Sequence, residues 1–95
     1  MSERIENIKK AVEKAAECRA VHLDSAIVTE AFQGQIVWKG VVEVFKLKGH
    51  PKAKRAYGWN IGEGADAIYT AVLEIPPVDS PSTAVRASLA AEARK

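Results

Sequence analysis

Histidine, cysteine, paired carboxylates and clustered cations are the side chains through which a small protein does chemistry. This chain of 95 residues holds one cysteine and two histidines. Cys18 and His22 are four apart, a spacing that suits two ligands on one helix face, but the helix that carries Cys18 is expected to end before His22. Two ligands do not close a tetrahedral zinc shell. Cys18 is therefore expected to be a structural thiol beside an apolar stripe, and His22 a strand-edge residue. His50 titrates in principle near neutrality, yet it sits before Pro51 in a turn with no partner for acid–base work. Glu30 and Glu43 lie on neighbouring expected strands without facing each other, and both are expected to be solvent-facing charges. No serine or cysteine is poised by a nearby histidine in sequence. Residues 62–67 match G-x-G-x-x-A as a string, but a dinucleotide fingerprint follows a parallel strand and opens a helix. Here a strand pattern follows, so the stretch is read as a loop. No catalytic residue, metal site or cofactor is expected.

The one segregation of charge is the run 44–62. It carries Lys46, Lys48, Lys52, Lys54 and Arg55, with His50, Phe45, Tyr57 and Trp59, and no acid. Cations on a turn and strand neutralise phosphates, and exposed aromatics stack bases, so the hairpin 46–55 is a candidate nucleic-acid contact. Lysines also protect strand edges from aggregation, and that alone would account for some of them. A different candidate is an aromatic-lined pocket: Trp38, Tyr57, Trp59 and Tyr69 could bind an apolar or aromatic ligand, their polar tips orienting it.

The elements that must position these residues are legible from periodicity. Residues 2–19 place Ile5, Ile8, Val12, Ala15 and Ala16 at helical spacing, with Ser2 as N-cap and Glu3 and Glu6 in the first turns. Residues 21–32 and 35–47 are β-branched and aromatic, joined by Gln33-Gly34, a tight hairpin turn. The simple register sets Thr29 opposite Trp38 and Glu30 opposite Val37. It gives Ile27, Ala31, Ile36 and Trp38 a common core face and leaves Val28, Phe32 and Val37 on the other. It also opposes Asp24 to Glu43, a like-charge pair that a bulge at Gly40 would relieve. Residues 54–61 and 67–75 make two further strands. Pro76-Pro77 ends the last, and Ser80-Pro81 starts a helix with a mostly alanine stripe.

Val37-Trp38, Gly40-Val41-Val42-Glu43-Val44-Phe45 with Leu47, Gly49-His50-Pro51, and Ala53, Arg55, Tyr57 and Trp59 form a pattern that resembles that of short bacterial hypothetical proteins. The stretch Ile75-Pro76-Pro77-Val78-Asp79-Ser80-Pro81 is similar to theirs too, as it is to proteins of accessory or mobile gene pools. The resemblance implies no activity and no functional residue.

Length and composition bound the rest. Ninety-five residues make one domain, 1–95, with a thin core. Lys and Arg number 14 against 12 Asp and Glu, a net +2, too little for a global field toward nucleic acid. The charge-rich N-terminus does not resemble a signal peptide, no apolar stretch is of membrane-spanning length, and one cysteine fits a reducing compartment. The expected protein is cytoplasmic and α+β, ordered α-β-β-β-β-α, with a four-stranded antiparallel sheet and both terminal helices on one face. Its expected role is a non-enzymatic binding or protein-interaction module, acting as a homodimer through the second sheet face or an edge strand.

Overall fold

The computed structural model describes residues 2–62 and 64–93. Helix α1 (Glu3–Ala16) starts where the Ser2 hydroxyl accepts the Ile5 amide at 3.2 Å. It stops where Glu17 turns left-handed, with φ 55°. Glu13 then reaches past the break, and its carboxylate accepts the Ala20 amide at 3.0 Å, fixing the start of the next element. Strands β1 (Arg19–Phe32) and β2 (Gln35–Lys48) form a hairpin of two 14-residue arms. Gln33 and Gly34 between them both have positive φ, as a two-residue turn requires. Strands β3 (Arg55–Ile61) and β4 (Ile68–Leu73) follow, and α2 (Pro81–Ala93) closes the chain. The sheet order is β1-β2-β3-β4, antiparallel throughout. The α-β-β-β-β-α order and α+β class expected from the sequence are what the structure has. No helix among the described residues is long and apolar enough to cross a membrane.

The helices do not share a face, which corrects the expectation. Side chains alternate along a strand, and β3 shows where each side goes. Ala56 and Gly58 meet α1, in a core with Ile8, Val12, Phe45 and Leu47. Tyr57 and Trp59 meet α2, in a core with Val28, Val42, Val44 and Val85. The domain is thus a three-layer sandwich with a small core on each side of the sheet. Gly58 makes the first core possible: a Cβ there would lie 2.5 Å from the Ile8 Cγ2 and 3.0 Å from the Val12 Cγ2.

Register also departs from the simple reading, for one reason: the bulges sit at Leu23 and Val37, not at Gly40. Leu23 is skipped, so Ser25 and not Asp24 opposes Glu43. Val37 is skipped, so Trp38 pairs with Glu30 and Thr29 with Lys39, while Ala31 opposes Ile36 as expected. Gly40 serves instead as the bed for an indole, since a Cβ there would stand 2.9 Å from the Trp38 ring. The expected core face of the outer hairpin is split: Trp38 packs under α2 as expected, but Ile27, Ala31 and Ile36 face outward, and of the opposite set Val28 is buried while Phe32 and Val37 stay exposed.

Candidate functional site

Glu43 draws together side chains from α1 and β1 that lie far apart in sequence. It lies on β2 facing α1, 1% exposed. Its Oε2 takes Arg4 Nη1 at 2.5 Å, and its Oε1 takes the Ser25 hydroxyl and His22 Nε2, the latter at 2.8 Å. Arg4 also donates to Asn60 Oδ1 at 2.8 Å and to the Val41 carbonyl at 3.1 Å. Burial pushes the Glu43 carboxyl up, but the hydrogen bonds from Ser25, Arg4 and His22 outweigh it and hold the carboxyl below its ordinary value. A charged carboxylate only accepts, so His22 Nε2 donates to it. Ser25 and His22 therefore both aim at the carboxylate and not at each other. A nucleophile needs its base within reach and a route for substrate, and this carboxylate is closed to solvent. The group works as a strut pinning the first turn of α1 to β1, β2 and β3.

Glu30 is likewise buried, under α2, where its Oε1 takes Arg86 Nε at 2.5 Å. The expectation that Glu30 and Glu43 are solvent-facing is corrected for both. Each is paired with an arginine that is remote in sequence, Arg86 for Glu30 and Arg4 for Glu43.

The four aromatics are divided by the sheet. Tyr57 and Trp59 are buried beneath α2, and Trp38 meets Trp59 edge to face with centroids 5.7 Å apart. The Tyr57 hydroxyl donates to Glu74, and burial together with that bond drives the phenol far above its usual range. Tyr69 lies on the other side, against the α1 core. It lines a cleft of ≈620 Å³ with Arg4, Asn7, Asn60 and Gly62. No single cavity collects the four.

The cations fare differently. Lys46 has the parity of Val42 and Val44, and Arg55 that of Tyr57 and Trp59, so both point to the α2 side. Lys48 follows Lys46 by two, and Arg19 has the parity opposite to Ala20, which is buried against α1. Arg19 pairs with Lys48, and Lys46 with Arg55. Four cations on three adjacent strands thus share one end of a sheet face, beyond the reach of α2. Sequence reasoning missed Arg19 because it lies outside the basic run; its register partner Lys48 is the signal that joins it. Lys52 and Lys54 lie on the β2–β3 loop, which His50 organises: its Nδ1 accepts the amides of Lys52 and Ala53 at 3.0 and 2.8 Å. Among the described residues no three His, Cys, Asp or Glu side chains gather as metal ligands would.

Exposed apolar residues gather on the outer half of the β1–β2 hairpin, where Ile27, Phe32, Ile36, Val37 and Val41 all meet solvent. β3 pairs with β2 only over Glu43 to Lys46, so residues 35–42 project beyond the sheet. On their α1-side face the pairs Ile27–Val41, Thr29–Lys39 and Ala31–Ile36 are all exposed, Ile27 at 80% and Ile36 at 64%. On the opposite face a groove of ≈590 Å³ runs between the hairpin and α2, lined by Phe32, Val37, Leu89 and Ala90 over the Glu30–Arg86 pair. No family model, curated protein or solved structure matches the chain.

Proposed function

We propose that the protein is a non-enzymatic interaction module that acts as a homodimer, two copies associating through the outer half of the β1–β2 hairpin. The observation that carries this reading is area. A monomeric globular protein of this mass exposes about 5,400 Å², whereas this chain exposes 6437 Å². The surplus, roughly 1,000 Å², is the size of one partner's share of a standard interface, about 800 Å². The outer half of the hairpin, which no other element covers on its α1 side, is a surface that such a partner would take. A two-stranded ribbon packed on one face only is marginal in water, and Ile27, Ile36 and Val41 form its bare face. The adjacent edge of β1 supports the same reading. From Ser25 to Phe32 its only charge is Glu30, which turns inward to Arg86, so the edge lacks the lysines or prolines that keep strands apart.

Sedimentation velocity at micromolar concentration tests the proposal. The wild-type chain sediments as a dimer, and Ile27→Gln/Ile36→Gln as a folded monomer, since neither residue belongs to a core. A wild-type chain that stays monomeric overturns it.

A further inference from the structure

We infer that the sheet face formed by Arg19, Lys46, Lys48 and Arg55 binds the phosphate backbone of duplex nucleic acid without reading its bases. This goes beyond self-association and uses the opposite end of the β1–β2 hairpin. The first ground is an arrangement that folding alone disfavours. Arg19 stands directly across from Lys48, and Lys46 directly across from Arg55. Like charges at facing strand positions repel. Among the described residues the ion pairs engage Arg4, His22 and Arg86 and none of these four. Three carboxylates come near on this face, and all have other engagements. Glu74 accepts the Tyr57 hydroxyl, Asp24, opposite Val44, accepts the Ser25 amide at 2.8 Å, and Asp79, whose charge reaches Tyr57, accepts the Thr83 hydroxyl at 3.1 Å. All four cations are exposed.

The second ground is shape. Neighbouring strands lie about 5 Å apart and alternate residues of one strand about 7 Å apart. The charges therefore form an open, flat array, not a cradle for one small anion, and such an array suits an extended polyanion. Lys52 and Lys54 extend it along the adjoining loop. The third ground fixes the mode. Single-strand binders stack bases on exposed aromatics, but Tyr57 and Trp59, the aromatics nearest these cations, are buried under α2, and the exposed Phe32 stands at the far end of the hairpin. What remains accessible is charge, which positions a backbone and carries no sequence information.

Fluorescence anisotropy with a labelled DNA duplex over a salt series is the test. Four phosphate contacts predict a slope of about −3.6 in log K against log salt per protomer engaged. Duplexes of unrelated sequence bind alike. Lys46→Gln/Arg55→Gln cuts the slope to roughly half and leaves thermal stability unchanged or raised, because it removes a repulsion. A merely structural role for these side chains would lower stability instead. Three results overturn the inference: no binding at low salt, a slope unchanged in the double variant, or tighter binding to anionic lipid vesicles than to the duplex. The dimer is a separate matter, since Ile27→Gln/Ile36→Gln leaves all four cations in place.

Discussion

Gly58→Ala costs about 3 kcal/mol of stability, the upper end of what overpacking a core does. A methyl at this position meets the Ile8 Cγ2 at 2.5 Å and the Val12 Cγ2 at 3.0 Å. Both are methyls of β-branched residues held to one χ1 rotamer in a helix, and both residues are fully buried, so neither can swing aside. The helix itself must lift from the sheet, and lifting it loosens contacts along Ile8, Val12 and Ala16 together. The check is urea unfolding of Gly58→Ala, Ile8→Ala and the double variant. Ile8→Ala alone costs about 2–5 kcal/mol. In the Gly58→Ala background it costs at least ~1 kcal/mol less, because it removes the obstruction as well as the contact. Strict additivity would show that the two residues do not meet.

Removing the Glu43 carboxylate is the other severe change. Truncating one member of a buried pair costs about 3–5 kcal/mol. The Arg4 side chain, 37% exposed, can recover some water, which places Glu43→Ala near ~3 kcal/mol and Glu43→Gln, which keeps an acceptor, at about half that. Both variants also change the acid limb. The folded carboxyl is held below its ordinary value of 4.5 by Ser25, Arg4 and His22 against the opposing effect of burial. Its contribution is therefore complete above 4.5 and is lost as pH falls through the lower folded value. Stability measured from neutral to acid pH declines in the wild type across that window and declines less steeply in Glu43→Gln. An identical acid limb in the two proteins would remove Glu43 from the account of acid unfolding.

Local chemistry made the elements readable and long-range pairing made the rest opaque. Ser2, the Gln33–Gly34 turn and Ser80–Pro81 each act within a few residues, and each sits where the sequence placed it. Bulges do not announce themselves in this way. Gly40 is the natural suspect, yet the extra residues are Leu23 and Val37, ordinary strand formers. Those bulges brought Glu43 to Ser25 and turned Ile27 outward. The buried acids were unreadable for a related reason: Arg4 lies 39 positions from Glu43, and Arg86 lies 56 from Glu30. The division of the helices between two faces was within reach. Ala56, Gly58 and Asn60 make a flat bed on one side of β3, and Tyr57 and Trp59 make a bulky one on the other, two surfaces that each call for a cover. Of the candidate surfaces, the basic run gave Lys46, Lys48 and Arg55, and only strand pairing could add Arg19.

The sheet is joined in its middle by four residue pairs, Glu43–Gly58, Val44–Tyr57, Phe45–Ala56 and Lys46–Arg55. To either side, chain neighbours pair with each other, β1 with β2 and β3 with β4. Each hairpin can close before the other exists, because short loops cost little entropy to form. The seam is closed by a loop as short, residues 49–54, but it is the shortest ladder of the three, and it gains its strength from Phe45, Tyr57 and Gly58, which bring the layers on both sides together. Amide protons of Val44, Phe45, Ala56 and Tyr57 that bridge the seam are thus expected to exchange only through opening of the whole molecule. In the monomer, those near Gln35 and Ile36, at the free end of the long hairpin, exchange through local fraying that the centre never registers.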